Sequence, residues 1–180
     1  YGNEEEGVPG CIHRGISEKT ANKIYDDMID FAKYAFNKSH AAAYAVVSYQ
    51  TAFLKYYYPV EYMAALMTSV IHNPSKVAEY ILSSRKMQIE ILPPDINFGE
   101  SEFSADHGAI RYGLSAIKSL GAPMIRAIVE ERNENGKYQS LRDFIERMSG
   151  RELNKRAIEN LIKAGALDQV SGNRRQKLMV

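Results

Sequence analysis

Between residues 17 and 92, apolar residues return at spacings of three and four, and prolines at 59 and 74 punctuate the pattern. That spacing places them on one face of a helix, and a proline is tolerated only in a first helical turn or just past a last one. This half is expected to fold as four helices joined by tight turns. The first runs from a Ser17 N-cap to about Phe36, with Ile24, Met28, Phe31 and Ala35 on an inward face. The second is capped by Asn37 or Ser39 and reaches Tyr58, carrying Ala43, Val46, Val47, Phe53 and Leu54. The third starts at Pro59 and gives way near His72, and the fourth runs from Pro74 or Ser75 to about Met87.

The pattern changes at Ile89-Glu90-Ile91-Leu92-Pro93-Pro94-Asp95, where a short extended stretch meets two prolines. A domain boundary is expected here, giving residues 1–92 and 93–180. Glu102–Ala105 and Ala109–Gly113 flank Asp106-His107-Gly108, a small hairpin turn. Helices follow at about Leu114–Ser119, Ala122–Asn133, Ser140–Met148 and Asn154–Ala164, and from Asn173 onward. The fold class is therefore mainly α, with one small β-hairpin between two helical parts.

At 180 residues, 45% hydrophobic and 25% charged, the chain can bury a core and is not of the disordered or collagenous type. No apolar run reaches the roughly 18 residues of a membrane span, and the acidic opening lacks a signal peptide's apolar core. A lone Cys11 forms no internal disulfide and suggests no zinc site. The expected location is the cytoplasm. Because the first residue is Tyr1 and not Met, the chain is expected to be an excised piece of a longer protein. Net charge is +1, yet residues 151–180 hold seven basic side chains against three acidic ones. That excess suits a polyanion, although a solvated helical face is also commonly this charged.

Phe36-Asn37-Lys38-Ser39-His40-Ala41-Ala42-Ala43-Tyr44 is the most unusual stretch. It sets a lysine, a hydroxyl and an imidazole at a helix start, where unpaired backbone N–H groups favour an anion such as phosphate. His40 and Tyr44 share a face, and the alanines between them allow close approach of a nucleotide or base pair. Ser39 or Asn37 acting only as a cap, and the alanines only as packing, account for the same residues.

Leu114 to Ile128 contains Ser119-Leu120-Gly121 between apolar segments. A helix-hairpin-helix motif turns through Gly-apolar-Gly and aims backbone N–H groups at a DNA phosphate. Ser119 stands where the motif wants its first glycine, and a generic helical hairpin fits as well. Asn154 to Asp168, followed by Gly172-Asn173-Arg174-Arg175, repeats the pattern with more positive charge. Two units in tandem are more telling than one. No Walker-type loop, Gly-x-Ser-x-Gly, His-Glu-x-x-His or carboxylate cluster is present. Asp95 after two prolines reads as a turn former, and Tyr56-Tyr57-Tyr58 as core and rim.

Phe36–Tyr44, Tyr49–Lys55, Tyr58–Leu66, Ile91–Asn97, Ile110–Leu114, Asn154–Ala157 and Lys163–Ala166 closely resemble the family C replicative polymerases, the alpha subunits of bacterial DNA polymerase III. The resemblance spans roughly Gly10 to Arg175. It implies that residues 1–92 are the later part of the fingers, which help enclose the incoming dNTP and the primer-template end. It implies nucleotide-binding roles for Lys38, Ser39, His40 and Tyr44. Residues 93–180 would be a tandem helix-hairpin-helix domain gripping duplex DNA without sequence preference. Its contacts would come from Lys118, Gly121, Ala122, Arg126, Lys155, Arg156, Lys163, Gly165 and Arg174.

By the same resemblance, the Mg2+-holding carboxylates belong to the palm, so this fragment has no cofactor and no catalytic residue of its own, and the parent enzyme polymerises. Partners would be primer-template DNA, dNTP, the rest of the alpha subunit and the replisome with its sliding clamp, and no membrane. Two rival readings remain at this point. A helix-hairpin-helix repair glycosylase would carry a catalytic Lys or Asp soon after its hairpin, whereas Gly121 is followed by Pro123 and Arg126. A helical protein-interaction adaptor would bind no nucleic acid.

Overall fold

The computed structural model describes residues 1–34, 38–151 and 153–179. The expected extension of the first helix to Phe36 and the Asn37 cap lie outside the described residues. The chain divides into two compact units, Tyr1–Ala52 and Phe53–Val180.

In the first unit, β1 (Gly2–Asn3) and β2 (Val8–Pro9) pair antiparallel, with Gly2 opposite Pro9. The Asn3 side chain closes the turn by accepting from the Glu5 and Glu6 amides. Ser17 accepts from the Thr20 N–H, as an N-cap does, and starts α1 (Glu18–Tyr34). Beginning at Lys38, α2 continues to Tyr57 without a buried residue among those described. The expected inward face of α1 is a misreading: Ile24, Met28 and Phe31 are all exposed, Phe31 to 75%. Helical spacing marks a face that can be buried, but two helices and a two-residue ribbon hold too little apolar mass to close a core over it.

The second unit closes two cores. Pro59 opens α3 (Pro59–Ser69), and Asn73 caps α4 (Pro74–Lys86) by accepting from the Lys76 N–H at 3.2 Å. Three short strands follow: β3 (Ile91–Leu92), β4 (Ser104–Asp106) and β5 (Ala109–Arg111). The β4–β5 hairpin turns through His107 and Gly108, both at positive φ, as a two-residue turn of the primed type requires. Strand β3 then adds to β5 in parallel, placing Ile91 beside Ile110. Met63, Met67 and Val77 of the helices pack with Ile89, Phe103 and Ile110 of the sheet region. The boundary expected at 92/93 therefore does not separate two cores, because strand pairing and apolar packing both cross it.

The second core gathers Ile96, Leu114 and Ile117 with the remaining helices: α5 (Ala122–Asn135), α6 (Leu141–Arg147), α7 (Lys155–Ala164) and α8 (Arg174–Leu178). Ser140, Asn154 and Asn173 cap α6, α7 and α8, each accepting from an amide three residues on. The helix expected over Leu114–Ser119 is only one 3-10 turn, Leu114–Ala116, after which Ile117 is extended. Gly113 offers no side chain to cap it.

Candidate nucleic-acid interface

Two turns in the second unit shape the candidate site. The first, Lys118-Ser119-Leu120-Gly121, leads from the 3-10 turn into α5. Ser119 sits at φ +64°, a left-handed conformation that costs a non-glycine residue about 1 kcal/mol. Gly121 is the N-cap of α5 and makes no side-chain cap bond, so the Met124 amide in the first turn of α5 lacks the partner a capping side chain would supply, and the Ala122 amide at its head has no i−4 partner within the helix. Gly121 has an ordinary φ of −76°, and an added Cβ would meet nothing closer than Pro123 Cδ at 3.7 Å. The chain's own fold therefore does not need a glycine there, although close approach of another molecule to the backbone would.

The second turn, Lys163-Ala164-Gly165-Ala166, ends α7. Gly165 is left-handed at φ +89°, and a Cβ there would lie 2.5 Å from the Arg174 guanidinium. Arg174 braces the turn: its Nε donates to Asp168 at 2.9 Å, Nη2 pairs with the same carboxylate, and Nη1 donates to the Lys163 carbonyl. Hydrogen bonding from Arg174 holds the Asp168 carboxyl below its ordinary pKa. Between the two turns lies a crevice of about 430 Å³, lined by Lys118, Asn160 and Lys163 together with Pro94, Tyr112, Ala116, Ile117 and Ala164.

A family model described as "Helix-hairpin-helix motif" matches residues 88–177, half of the chain. The chain belongs to that helix-hairpin-helix family. It is also similar to the DNA polymerase III subunit alpha of Thermus aquaticus, at 49% identity over 92% of this chain and 14% of that protein. The corresponding figures are 47%, 89% and 12% for Deinococcus radiodurans, and 48%, 92% and 14% for Vibrio cholerae. The chain thus spans about one seventh of the length of the curated relatives it matches. The resemblance noted in the sequence is borne out at that level.

The helix-hairpin-helix geometry sorts the expected contact residues. Lys118 and Lys163 share the crevice, and Gly121 and Ala122 stand exposed at the head of α5, with Arg126 exposed one turn further along. Lys155 and Arg156 are exposed at the opposite end of α7 from Lys163. Among the described residues, Lys118, Arg126, Lys155 and Arg156 carry no ion pair, while Lys163 has only a surface pair with Glu159 at 3.2 Å. Gly165 is buried and Arg174 is engaged with Asp168, so both build the turn. The basic excess of residues 151–180 is also partly consumed internally. Lys177 is buried, donating to the Leu167 and Val170 carbonyls at 2.6 and 2.9 Å, and burial pushes its pKa down. Arg151 pairs with Glu131.

Lys38, Ser39 and His40 form the first turn of α2, and the His40 and Tyr44 rings stand 4.5 Å apart across one turn, tilted by 49°. Tyr44 is exposed. No side chain in that turn is acidic, which leaves its electrostatics favourable to an anion.

Sequence reasoning missed the polar network that holds the helix-hairpin-helix core. Glu131 of α5 is buried and accepts from Arg147 Nε at 3.1 Å and Asn135 at 2.9 Å, and pairs with Arg151 at 2.9 Å. Arg147 also lies over the Tyr138 ring, whose hydroxyl donates to the Ile128 carbonyl and is pushed up to about 12, chiefly by burial. The Arg147 hydrogen bond holds the Glu131 carboxyl below its ordinary pKa. A lowered carboxylate pKa adds stability above the unfolded-state value, and that stability is lost as pH falls through the folded-state one. Glu131→Gln should therefore unfold at a lower temperature than the native chain at neutral pH, and the two midpoints should converge as the pH falls below the ordinary carboxylate range. A gap unchanged across that range would show that charge on Glu131 contributes nothing.

The exposed Gly121 permits a cleaner functional test. Gly121→Val should lower the unfolding midpoint by only about 4 °C, since Val is a poorer N-cap than glycine by about 1 kcal/mol and the added Cβ meets only Pro123 Cδ at 3.7 Å. Duplex affinity should fall about tenfold, because the added side chain blocks the close backbone approach a phosphate needs.

Proposed function

We propose that this chain is a DNA-gripping part of a bacterial replicative DNA polymerase large subunit, binding duplex DNA through its sugar-phosphate backbone without reading sequence. The observation that carries this reading is the pairing of two helix-hairpin-helix turns around one crevice rimmed by Lys118 and Lys163, beside the uncapped head of α5. Backbone amides and lysines recognise phosphate and carry no base information. Relatives at 43–49% identity are DNA polymerase III alpha subunits, which supports the replicative setting and a cytoplasmic location.

Catalysis is assigned to the remainder of the parent protein. Among the described residues no three His, Cys, Asp or Glu side chains gather closely enough to hold a metal ion, and no step is routed through one here. No helix among the described residues is long and apolar enough to cross a membrane. The exposed apolar residues of α1 and α2 suit packing against other parts of the polymerase, since an apolar helical face is normally buried.

The first turn of α2 supports a fingers role, with Lys38 supplying charge to the triphosphate of an incoming dNTP and Ser39, His40 and Tyr44 lying beside it. In the complete polymerase, Lys38→Ala should raise the nucleotide KM about tenfold and leave duplex affinity unchanged. Steady-state kinetics with an unchanged KM would remove Lys38 from that role.

Fluorescence anisotropy of labelled primer-template duplex, titrated with this chain across a salt series, tests the DNA reading. Binding that weakens steeply with salt and ignores sequence supports it. Absence of binding at low salt, where phosphate contacts are strongest, favours a protein-binding adaptor.

A further inference from the structure

We propose that Asn160, on α7, is a positioning residue that holds the first hairpin turn in its phosphate-receiving shape and ties it to the second turn. The inference rests on the DNA-binding reading above and names the side chain through which two hairpins present one surface.

Ser119 adopts φ +64° in a position where no glycine relieves it. Such a conformation persists only where the surroundings impose it. One contact imposes it here: Asn160 Nδ2 donates to the Lys118 carbonyl at 2.9 Å, across 42 residues of sequence. That carbonyl belongs to the peptide group joining Lys118 to Ser119, so the bond fixes the plane from which the left-handed residue departs. Leu114 and Ile117 anchor the chain before the turn in the core, whereas Ser119 and Gly121 on its outer side are not buried.

Asn160 also has the right address. It lies one helical turn before Lys163, so the residue that grips the first turn stands on the helix that delivers the second turn's lysine. Lys118, Asn160 and Lys163 line the same crevice. The second turn has a matching brace, since Arg174 Nη1 donates to the Lys163 carbonyl at 3.3 Å. In each hairpin a side chain from further along the chain holds a lysine carbonyl, one residue before the left-handed Ser119 in the first and two residues before the left-handed Gly165 in the second. The Arg174 brace stays within one hairpin, but the Asn160 brace spans both. Its loss would free the Lys118–Ser119 peptide to rotate and spoil the aim of the amides at the head of α5, with the apolar core intact.

The experiment is duplex affinity by anisotropy, together with thermal unfolding, for this chain with Asn160→Ala, Ser119→Gly, the double substitution, and Lys118→Gln with Lys163→Gln. Asn160→Ala should lower affinity about five- to tenfold with the unfolding midpoint nearly unchanged, one well-placed hydrogen bond being worth about that factor. Ser119→Gly alone should change affinity less than about twofold and should recover most of the loss in the Asn160→Ala background, because glycine reaches the turn without imposed strain. An equal loss in both backgrounds overturns the positioning role and makes Asn160 a direct contact. Loss of affinity in step with a large drop in midpoint overturns it as mere stabilisation. Unchanged affinity in Asn160→Ala, with weakened binding by the double lysine variant, overturns it and leaves the DNA reading standing. If the unsubstituted chain itself binds no duplex at low salt, both fall.

Discussion

Replacing Lys118, Lys155, Arg156 and Lys163 together by glutamine is expected to weaken duplex binding by this chain on the order of 10²–10³-fold at about 0.1 M salt. Each cation seated on a phosphate releases about 0.9 counterion, so at that salt four contacts are worth up to about 3.6 logarithmic units, and imperfect contacts bring the figure down. The slope of log affinity against log salt should flatten by up to about 3.6 for the same reason. Stability should hold. All four side chains are exposed, Lys163 makes only a surface pair, and Lys155 and Arg156 sit in the first turn of α7, where the helix dipole disfavours a positive charge. Arg174 is left out of the set because its charge is committed to Asp168 and its removal would loosen the turn. Splitting the set locates the interface. If Lys118→Gln with Lys163→Gln carries nearly the whole loss, the DNA lies along the crevice; if Lys155→Gln with Arg156→Gln carries it, the duplex lies at the other end of α7. Affinity unchanged by the fourfold substitution would remove the phosphate-binding reading altogether.

Phe144→Ala is expected to destabilise the second unit by about 3–5 kcal/mol, lowering its unfolding midpoint on the order of 10–20 °C. Phe144 has no exposed surface and packs edge-on against Tyr138, ring centroids 5.0 Å apart at 82°. Truncation removes both the transferred apolar area and that aromatic contact, and it leaves a cavity under the Arg147–Tyr138 stack. Phe31→Ala in α1 is the matched control: the same chemical change at a residue 75% exposed should stay within about 0.5 kcal/mol. Calorimetry decides between them. A comparable loss for Phe31→Ala would mean that the α1 face is packed in solution, and a small loss for Phe144→Ala would mean that the hairpin core is not the stabilising centre.

Much of this architecture follows from local rules that a sequence carries openly. Ser17, Asn73, Ser140, Asn154 and Asn173 cap helices because a short polar side chain meets the amide three residues on, and that chemistry needs no tertiary partner. Pro59 and Pro74 open helices, and His107-Gly108 forms a two-residue turn, for equally local reasons. The helix-hairpin-helix pattern, the exposed cations Lys118, Lys155 and Arg156, and the family resemblance were legible for the same reason, since each is a run of contiguous residues. What the tertiary structure alone decided is where distant segments meet. Periodicity gave α1 an inward face, but whether a face is covered depends on what else the chain brings to it, and here Ile24, Met28 and Phe31 stay exposed. Strand β3 joins β5 across the expected boundary through bonds no composition shift announces. Arg174 and Lys177 look like further DNA-binding cations, yet Asp168 and two backbone carbonyls claim them. Asn160 reads as an ordinary helix-surface amide, and its hold on the Lys118 carbonyl exists only because folding closes the 42 residues between them. Local propensity fixes the elements, whereas long-range packing and burial decide which of their charges and faces remain available to a partner.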